Sequence, residues 1–214
     1  MSNEAFVRWL QTEMRDMGLY SGNIDGDAGP LTSAAARAIM DRAPVTPPAV
    51  TKVEARGVVY PRQADMVAFY GAAGGAACTA GKVKLPFPFV IAWAPDQRVS
   101  TFSCHARLEA PMTAIFAEAA KHYGEERFRA LRLDRFGGCY NYRPMRGGSA
   151  LSTHAWGAAV DLDPERNQLT WGADKAAFAA PEYEAFWQIV EAHGAVSLGR
   201  SRNRDWMHFQ FARL

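Results

Sequence analysis

Ser152-Thr153-His154-Ala155-Trp156-Gly157-Ala158-Ala159-Val160-Asp161-Leu162-Asp163 puts an imidazole and a carboxylate seven residues apart across a glycine. The alternation from Ala159 to Asp163 predicts a short strand. Val160 and Leu162 then point to the core, and Ala159, Asp161 and Asp163 share the other face. Gly157 lets the chain turn so that His154 reaches back toward that face. A second stretch, Asp205-Trp206-Met207-His208-Phe209-Gln210-Phe211, alternates Met207, Phe209 and Phe211 inward and leaves His208 on the polar side. If the two strands pair, His208 meets Asp161. Two histidines and one carboxylate with an open fourth position are the protein ligands of a catalytic zinc, which activates water at neutral pH. Asp163 competes with Asp161 for that role, because it lies on the same face.

Around these strands the rest of the chain reads as α+β. Residues 109–123 predict a helix, with Pro111 in the first turn and Met112, Ile115, Phe116 and Ala119 on one face. A further helix is expected over 181–192, a strand near 136–144 and a short helix within 62–70. The run Val83–Trp93 is rich in β-forming residues. Pro86 and Pro88 within it demote it to an edge segment that leads into a short strand. Strands and helices interleave without βαβ regularity, so the expected sheet is central, antiparallel and flanked by helices.

Toward the amino terminus, Phe6, Trp9, Leu10, Met14 and Met17 recur at helical spacing over 4–17. A turn-rich loop from Ser21 to Pro30 leads to a second helix from about Leu31, with Thr32 as its expected cap. Pro44, Pro47 and Pro48 mark an extended spacer. The expected organisation is a helical module over 1–43, a Pro-rich linker over 44–58 and a larger domain over 59–214.

Composition sets bounds. Among the 214 residues, 49% are hydrophobic and 21% charged, which is globular rather than disordered. The 24 basic and 22 acidic residues leave a net charge of only +2, too weak a field to argue for nucleic acid. No stretch is apolar enough for stable membrane insertion, and the first residues lack the apolar core of a signal peptide. Cys78, Cys104 and Cys139 form no CxxC pair, so buried free thiols are expected, with a Cys104–Cys139 bridge as the alternative. His122 and His193 read as helix-end residues. Cys104 and His105 are adjacent on a strand and therefore face opposite ways, which argues against a thiolate pair.

The pattern Ser152-x-His154-x-x-Gly157-x-Ala159-x-Asp161, followed by Asp205-x-x-His208-Phe209, resembles the zinc-dependent peptidoglycan peptidases of the D-Ala-D-Ala carboxypeptidase and L-Ala-D-Glu endopeptidase family. The resemblance covers about residues 80–214. It implies one zinc ion held by His154, Asp161 and His208, and Asp205 as general base where many members carry glutamate. It also implies Arg143, in the segment Tyr142-Arg143-Pro144, as the guanidinium that stabilises an oxyanion. Ser152 and Trp156 are the candidate substrate contacts, Ser152 with an alternative role in bracing the loop and Trp156 with one in the core.

A second resemblance lies in Leu10-Gln11, Gly18-Leu19-Tyr20 and Asp25-Gly26-Asp27-Ala28-Gly29-Pro30-Leu31-Thr32, which are similar to the small three-helix peptidoglycan-binding domain. Together the two imply a hydrolase whose partner is bacterial peptidoglycan, expected as a monomer. The absence of a signal sequence suggests synthesis in the bacterial cytoplasm and release through holin-type membrane holes, as for a phage or prophage endolysin. The competing class is a non-catalytic zinc-containing wall binder.

Overall fold

The computed structural model describes residues 3–41 and 58–214, and the chain divides into two compact units, Met1–Ala49 and Val50–Leu214. Apart from Val58, the Pro-rich linker expected over 44–58 lies outside the described residues. No described helix is long and apolar enough to cross a membrane.

In the first unit, α1 (Asn3–Asp16) and α2 (Pro30–Asp41) flank the turn-rich loop. These are two helices among the described residues, where the resemblance implied three. Met14, Tyr20 and Ala35 form the small core, while Phe6, Trp9 and Met17 of the expected apolar face are about half exposed. Met14 of that face is buried, but the other buried position on α1 is polar. Gln11 is fully buried, its amide nitrogen reaching Asp25 Oδ1 at 2.8 Å and Asp27 O at 3.0 Å while its oxygen accepts from Gly26 N at 2.9 Å. One amide thus ties together three residues of the loop, pairing the backbone of Gly26 and Asp27 and the side chain of Asp25. Thr32 lies inside α2 rather than at its cap, and its hydroxyl donates to Asp27 O.

The second unit has the α+β architecture. After α3 (Met66–Tyr70) and α4 (Ala77–Ala80) come β1 (Gly81–Ile91), β2 (Ala94–Cys104), α5 (Glu109–Ala130), β3 (Arg135–Gly138), β4 (Ala159–Leu162), α6 (Glu184–Ala192), β5 (Val196–Ser197), α7 (Leu198–Arg202) and β6 (His208–Gln210). The strands form one sheet in the order β2-β1-β3-β4-β6-β5. It is mixed rather than wholly antiparallel, because β1 and β3 run parallel through Val90–Arg135 and Ile91–Phe136. β1 is therefore internal, not an edge. Its prolines are tolerated because pairing with β2 skips from Lys84 to Phe89, across Pro86 and Pro88, and β3 pairs only beyond them.

The helix expected over 109–123 continues to Ala130 through a break at Gly124, whose backbone (φ 71°, ψ 157°) is not helical. Phe116 from α5 packs on Phe89 of β1 at 5.4 Å and on Phe102 of β2 at 5.9 Å. These edge-on aromatic contacts tie the helix to the sheet, and Phe209 of β6 closes the same layer. The three cysteines are free and buried.

Two pairings build the site. β4 and β6 are antiparallel, with Asp161 directly opposite His208. β3 meets β4 through an irregularity between Phe136 and Gly138, and a Cβ at Gly137 would lie 2.9 Å from Asp161 O. Only glycine permits that approach, which draws the Gly138-Cys139 backbone alongside Asp161.

Candidate metal centre

His154 sits in a one-turn 3-10 helix, Thr153–Trp156, opened by Ser152 and closed by Gly157. Ser152 Oγ accepts from His154 N at 3.4 Å, and Gly157 adopts the left-handed conformation with φ 62°. A Cβ there would lie 2.2 Å from Cys78 O, so both the dihedral and the space demand glycine. The turn delivers the His154 ring to the face of β4 and β6 that carries Asp161 and His208.

His154 Nε2, His208 Nδ1 and Asp161 Oδ1 form a triangle with edges of 3.2, 3.0 and 3.3 Å. The outer nitrogens are both committed. His154 Nδ1 donates to Cys139 O at 2.5 Å, and His208 Nε2 donates to Gln210 Oε1 at 3.0 Å. Gln210 is itself oriented, since its amide nitrogen donates to Ala212 O at 2.9 Å and its oxygen also accepts from Thr153 Oγ1 at 3.2 Å. Oxygen acceptors on the outer nitrogens mean that the neutral imidazoles turn lone pairs inward, toward each other and a carboxylate. Three converging acceptors repel unless a cation lies between them. Metal–ligand lengths of about 2.0–2.1 Å at tetrahedral angles would separate neighbouring ligand atoms by about 3.3 Å, close to the edges found. The residues therefore fit a metal ion, and this buried group could hold one.

The electrostatics are those of a strongly coupled cluster. Burial would raise the Asp161 carboxyl, but the charges and hydrogen bonds of His154 and His208 outweigh it and hold Asp161 well below the usual range. Burial likewise disfavours the His208 cation, and Asp161 overcomes that and raises His208.

A cavity of about 440 Å³ opens over the triangle, lined among others by Arg143, Arg146, Ser152, Arg202, Arg204 and Asp205. Asp205 is buried, in the left-handed region at φ 56°, and its Oδ1 has no hydrogen-bond partner among the described residues. Burial raises its pKa. Arg143 lies on a hairpin held by Ser152 N on Arg143 O at 3.0 Å and by the Pro144–Leu151 bridge.

Two expected placements are corrected. Trp156 does not line the cavity: it is 5% exposed, and its indole donates to Gly71 O at 2.8 Å, which anchors the 3-10 turn to the segment after α3. Asp163 does not share the site of Asp161. The chain turns into the left-handed region there (φ 42°), and the fully buried carboxylate is held by Arg132 at 2.7 Å and Arg166 at 2.6 Å. Among the other candidates, His105 bonds Tyr70 O and Arg107 N, and burial pushes the Cys104 thiol up to about 12, so no thiolate pair forms. His193 caps α6 beside Glu118.

Sequence reasoning passed over Gln210, although strand alternation places it on the face of His208. It also passed over the Cys139 carbonyl, for which no sequence signal exists, because any residue supplies one.

Residues 146–211 match the family model described as D-alanyl-D-alanine carboxypeptidase. That span is just under a third of the chain. It takes in Ser152, His154, Asp161, Asp205 and His208, begins after Arg143, and supports a peptidase domain at the carboxy-terminal end. No curated protein and no solved structure matches the chain at a significant level.

Proposed function

We propose that the chain is a zinc-dependent peptidoglycan hydrolase that cleaves an amide of the peptide stem, of the L-Ala-D-Glu endopeptidase or D-Ala-D-Ala carboxypeptidase type. The observation that carries this reading is the triangle of inward-facing acceptors at the floor of an open cavity, inside the segment that matches a carboxypeptidase family. His154, Asp161 and His208 would hold the ion. Zinc suits two imidazoles and a carboxylate better than the harder cations that prefer oxygen shells. When bound, it supplies Lewis acidity toward water and the scissile carbonyl.

The chain's own groups do the rest. Asp205 lines the cavity with an oxygen that has no partner among the described residues, and burial raises its affinity for a proton. It takes the proton that attacking water loses and returns it to the leaving nitrogen. Arg143 places a permanent positive charge on the cavity wall, where it stabilises the negative charge that grows on the carbonyl oxygen. Ser152 both braces the His154 turn and lines the cavity, so its hydroxyl can orient the stem.

The first unit serves as the wall-binding module. Its Gln11 hub organises the Asp25-Gly26-Asp27 loop on which that resemblance rests. Tethering would raise the effective concentration of the peptidase at successive cross-links. A phage or prophage endolysin, acting as a monomer after release from the cytoplasm, is the biological setting in keeping with this pairing.

The test is mass spectrometry of purified peptidoglycan digested by the zinc-loaded wild type, by His208→Ala and by the wild type with chelator. New L-Ala carboxyl and D-Glu amino ends, lost in both controls, are expected of an endopeptidase, and free D-Ala of a carboxypeptidase. No product from the wild type, with wall binding intact, would refute catalysis and leave a non-catalytic binder.

A further inference from the structure

The cavity is far more cationic than the chain. Arg143 and Arg146 reach it from one hairpin, Arg202 from the last turn of α7 and Arg204 from the turn that follows, and a net charge of +2 for the whole sequence does not explain that concentration. None of the four forms an ion pair among the described residues. The side-chain carboxylates they face are Asp161, committed to the two histidines, and Asp205.

Arg202 and Arg204 are also presented by a fixed turn. α7 ends at Asn203, in the left-handed region at φ 50°, and Asp205 returns to that region at φ 56°. Asn203 Oδ1 accepts from Ala173 N at 2.8 Å, and Asp205 N donates to Leu169 O at 3.1 Å, so the turn is pinned on both sides of Arg204. Arg200, on the same helix, shows the contrast: it is held by Glu184 at 2.6 Å and Glu191 at 2.7 Å and does not line the cavity. Two left-handed residues among four cost conformational energy, and here they bring unpaired guanidinium groups to a cavity that holds a candidate metal centre.

We infer that Arg202 and Arg204 are specificity-determining residues that read the free α-carboxylate of D-Glu in the peptide stem. The substrate class is then the acidic, non-amidated stem. This rests on the peptidase reading above. A guanidinium pairs with a carboxylate through two parallel hydrogen bonds and full opposite charge, whereas a carboxamide offers one acceptor oxygen and no charge. Two such exposed contacts are worth about tenfold in affinity, and salt weakens them.

The experiment uses the full-length, zinc-loaded protein and two synthetic stem peptides that differ only in a free or amidated α-carboxyl on D-Glu. Cleavage kinetics and peptide binding by fluorescence anisotropy are measured in parallel. The wild type is expected to prefer the free acid about tenfold in kcat/KM, through KM, with the preference shrinking as salt rises. Arg202→Gln/Arg204→Gln, checked for zinc content and melting temperature, is expected to lose that preference. Equal cleavage of both peptides by the wild type, or a preference that persists in the double variant, would overturn the inference and leave the peptidase reading standing. If neither peptide is cut, binding decides. A preference for the acid that is lost in the variant upholds the arginine assignment and overturns the peptidase reading, and equal binding overturns both.

Discussion

Replacing Gln210 with leucine tests whether the metal centre depends on the shell behind its ligands. Gln210 is 3% exposed and satisfies three groups at once: the His208 Nε2–H, the Thr153 hydroxyl and the Ala212 carbonyl. Leucine fills a similar volume and satisfies none. Each orphaned buried group costs about 1–3 kcal/mol, part of which the apolar side chain recovers, so a loss of about 3 kcal/mol in stability is expected. A domain of ordinary stability survives that loss. The effect on metal binding is more specific. Without the acceptor on Nε2, the neutral His208 ring is free to carry its proton on Nδ1, where Asp161 Oδ1 accepts at 3.0 Å. The lone pair that should meet the metal becomes a donor, and zinc affinity should fall about 10–100-fold, or about 1.4–2.8 kcal/mol. Competition with a chromophoric chelator near neutral pH measures the affinity, and 15N shifts of the metal-free protein report the tautomer. Gln210→Glu, which keeps an acceptor for His208, should bind zinc within a few-fold of the wild type. A folded Gln210→Leu protein with zinc affinity within twofold of the wild type would refute the reasoning.

Three further outcomes follow from the same geometry. Asp205→Asn should lower kcat by about 10²–10⁴-fold while the protein still binds one equivalent of zinc, since Asp205 stands outside the triangle; loss of the metal would show that its role is structural instead. Gly157→Ala should lower the melting temperature and weaken zinc binding together, because a left-handed alanine costs about 1–2 kcal/mol before its Cβ meets Cys78 O at 2.2 Å; an unchanged melt would contradict this. His105 is buried, with Nε2 on Tyr70 O and Nδ1 accepting from Arg107 N, and desolvation lowers its pKa below 6.5. The unfolded chain therefore binds this proton first, so the stabilisation is full above about pH 6.5 and is lost as pH falls below it, by at most about 1.4 kcal/mol per unit. Urea melts of the wild type and His105→Gln between about pH 7 and pH 5 should diverge accordingly, and parallel curves would remove His105 as the cause.

Much of the architecture was legible because apolar spacing is a local signal. The α5 face at Met112, Ile115, Phe116 and Ala119 is buried as its period requires. β2 escaped notice because it is mostly exposed along Ala94–Thr101 and lacks the alternation that marks a half-buried strand. α1 misled for the opposite reason. Phe6 and Trp9 sit at helical spacing but meet each other at 5.8 Å at the surface, while a buried place beside Met14 goes to Gln11, which a hydrophobicity pattern scores as solvent-facing. Trp156 was a candidate cleft wall because it lies two residues from His154, yet two steps along a 3-10 turn point a side chain to another face.

What the sequence by itself determined is the candidate trio His154, Asp161 and His208 and the strand pairing that brings it together. An imidazole and a carboxylate across Gly157, and a second imidazole on a strand of alternating polarity, leave few ways to bury Val160 and Phe209 without bringing Asp161 opposite His208. Side-chain period two makes that register all or none. Only the tertiary structure decided the rest. Asp163 was removed from the site by a left-handed turn and two arginines, His154 was oriented by a carbonyl of Cys139 and His208 by Gln210, and four guanidinium groups from two distant segments were gathered around one cavity. Those outcomes depend on which backbone atoms and charges meet across long loops, and no local period in a chain encodes them.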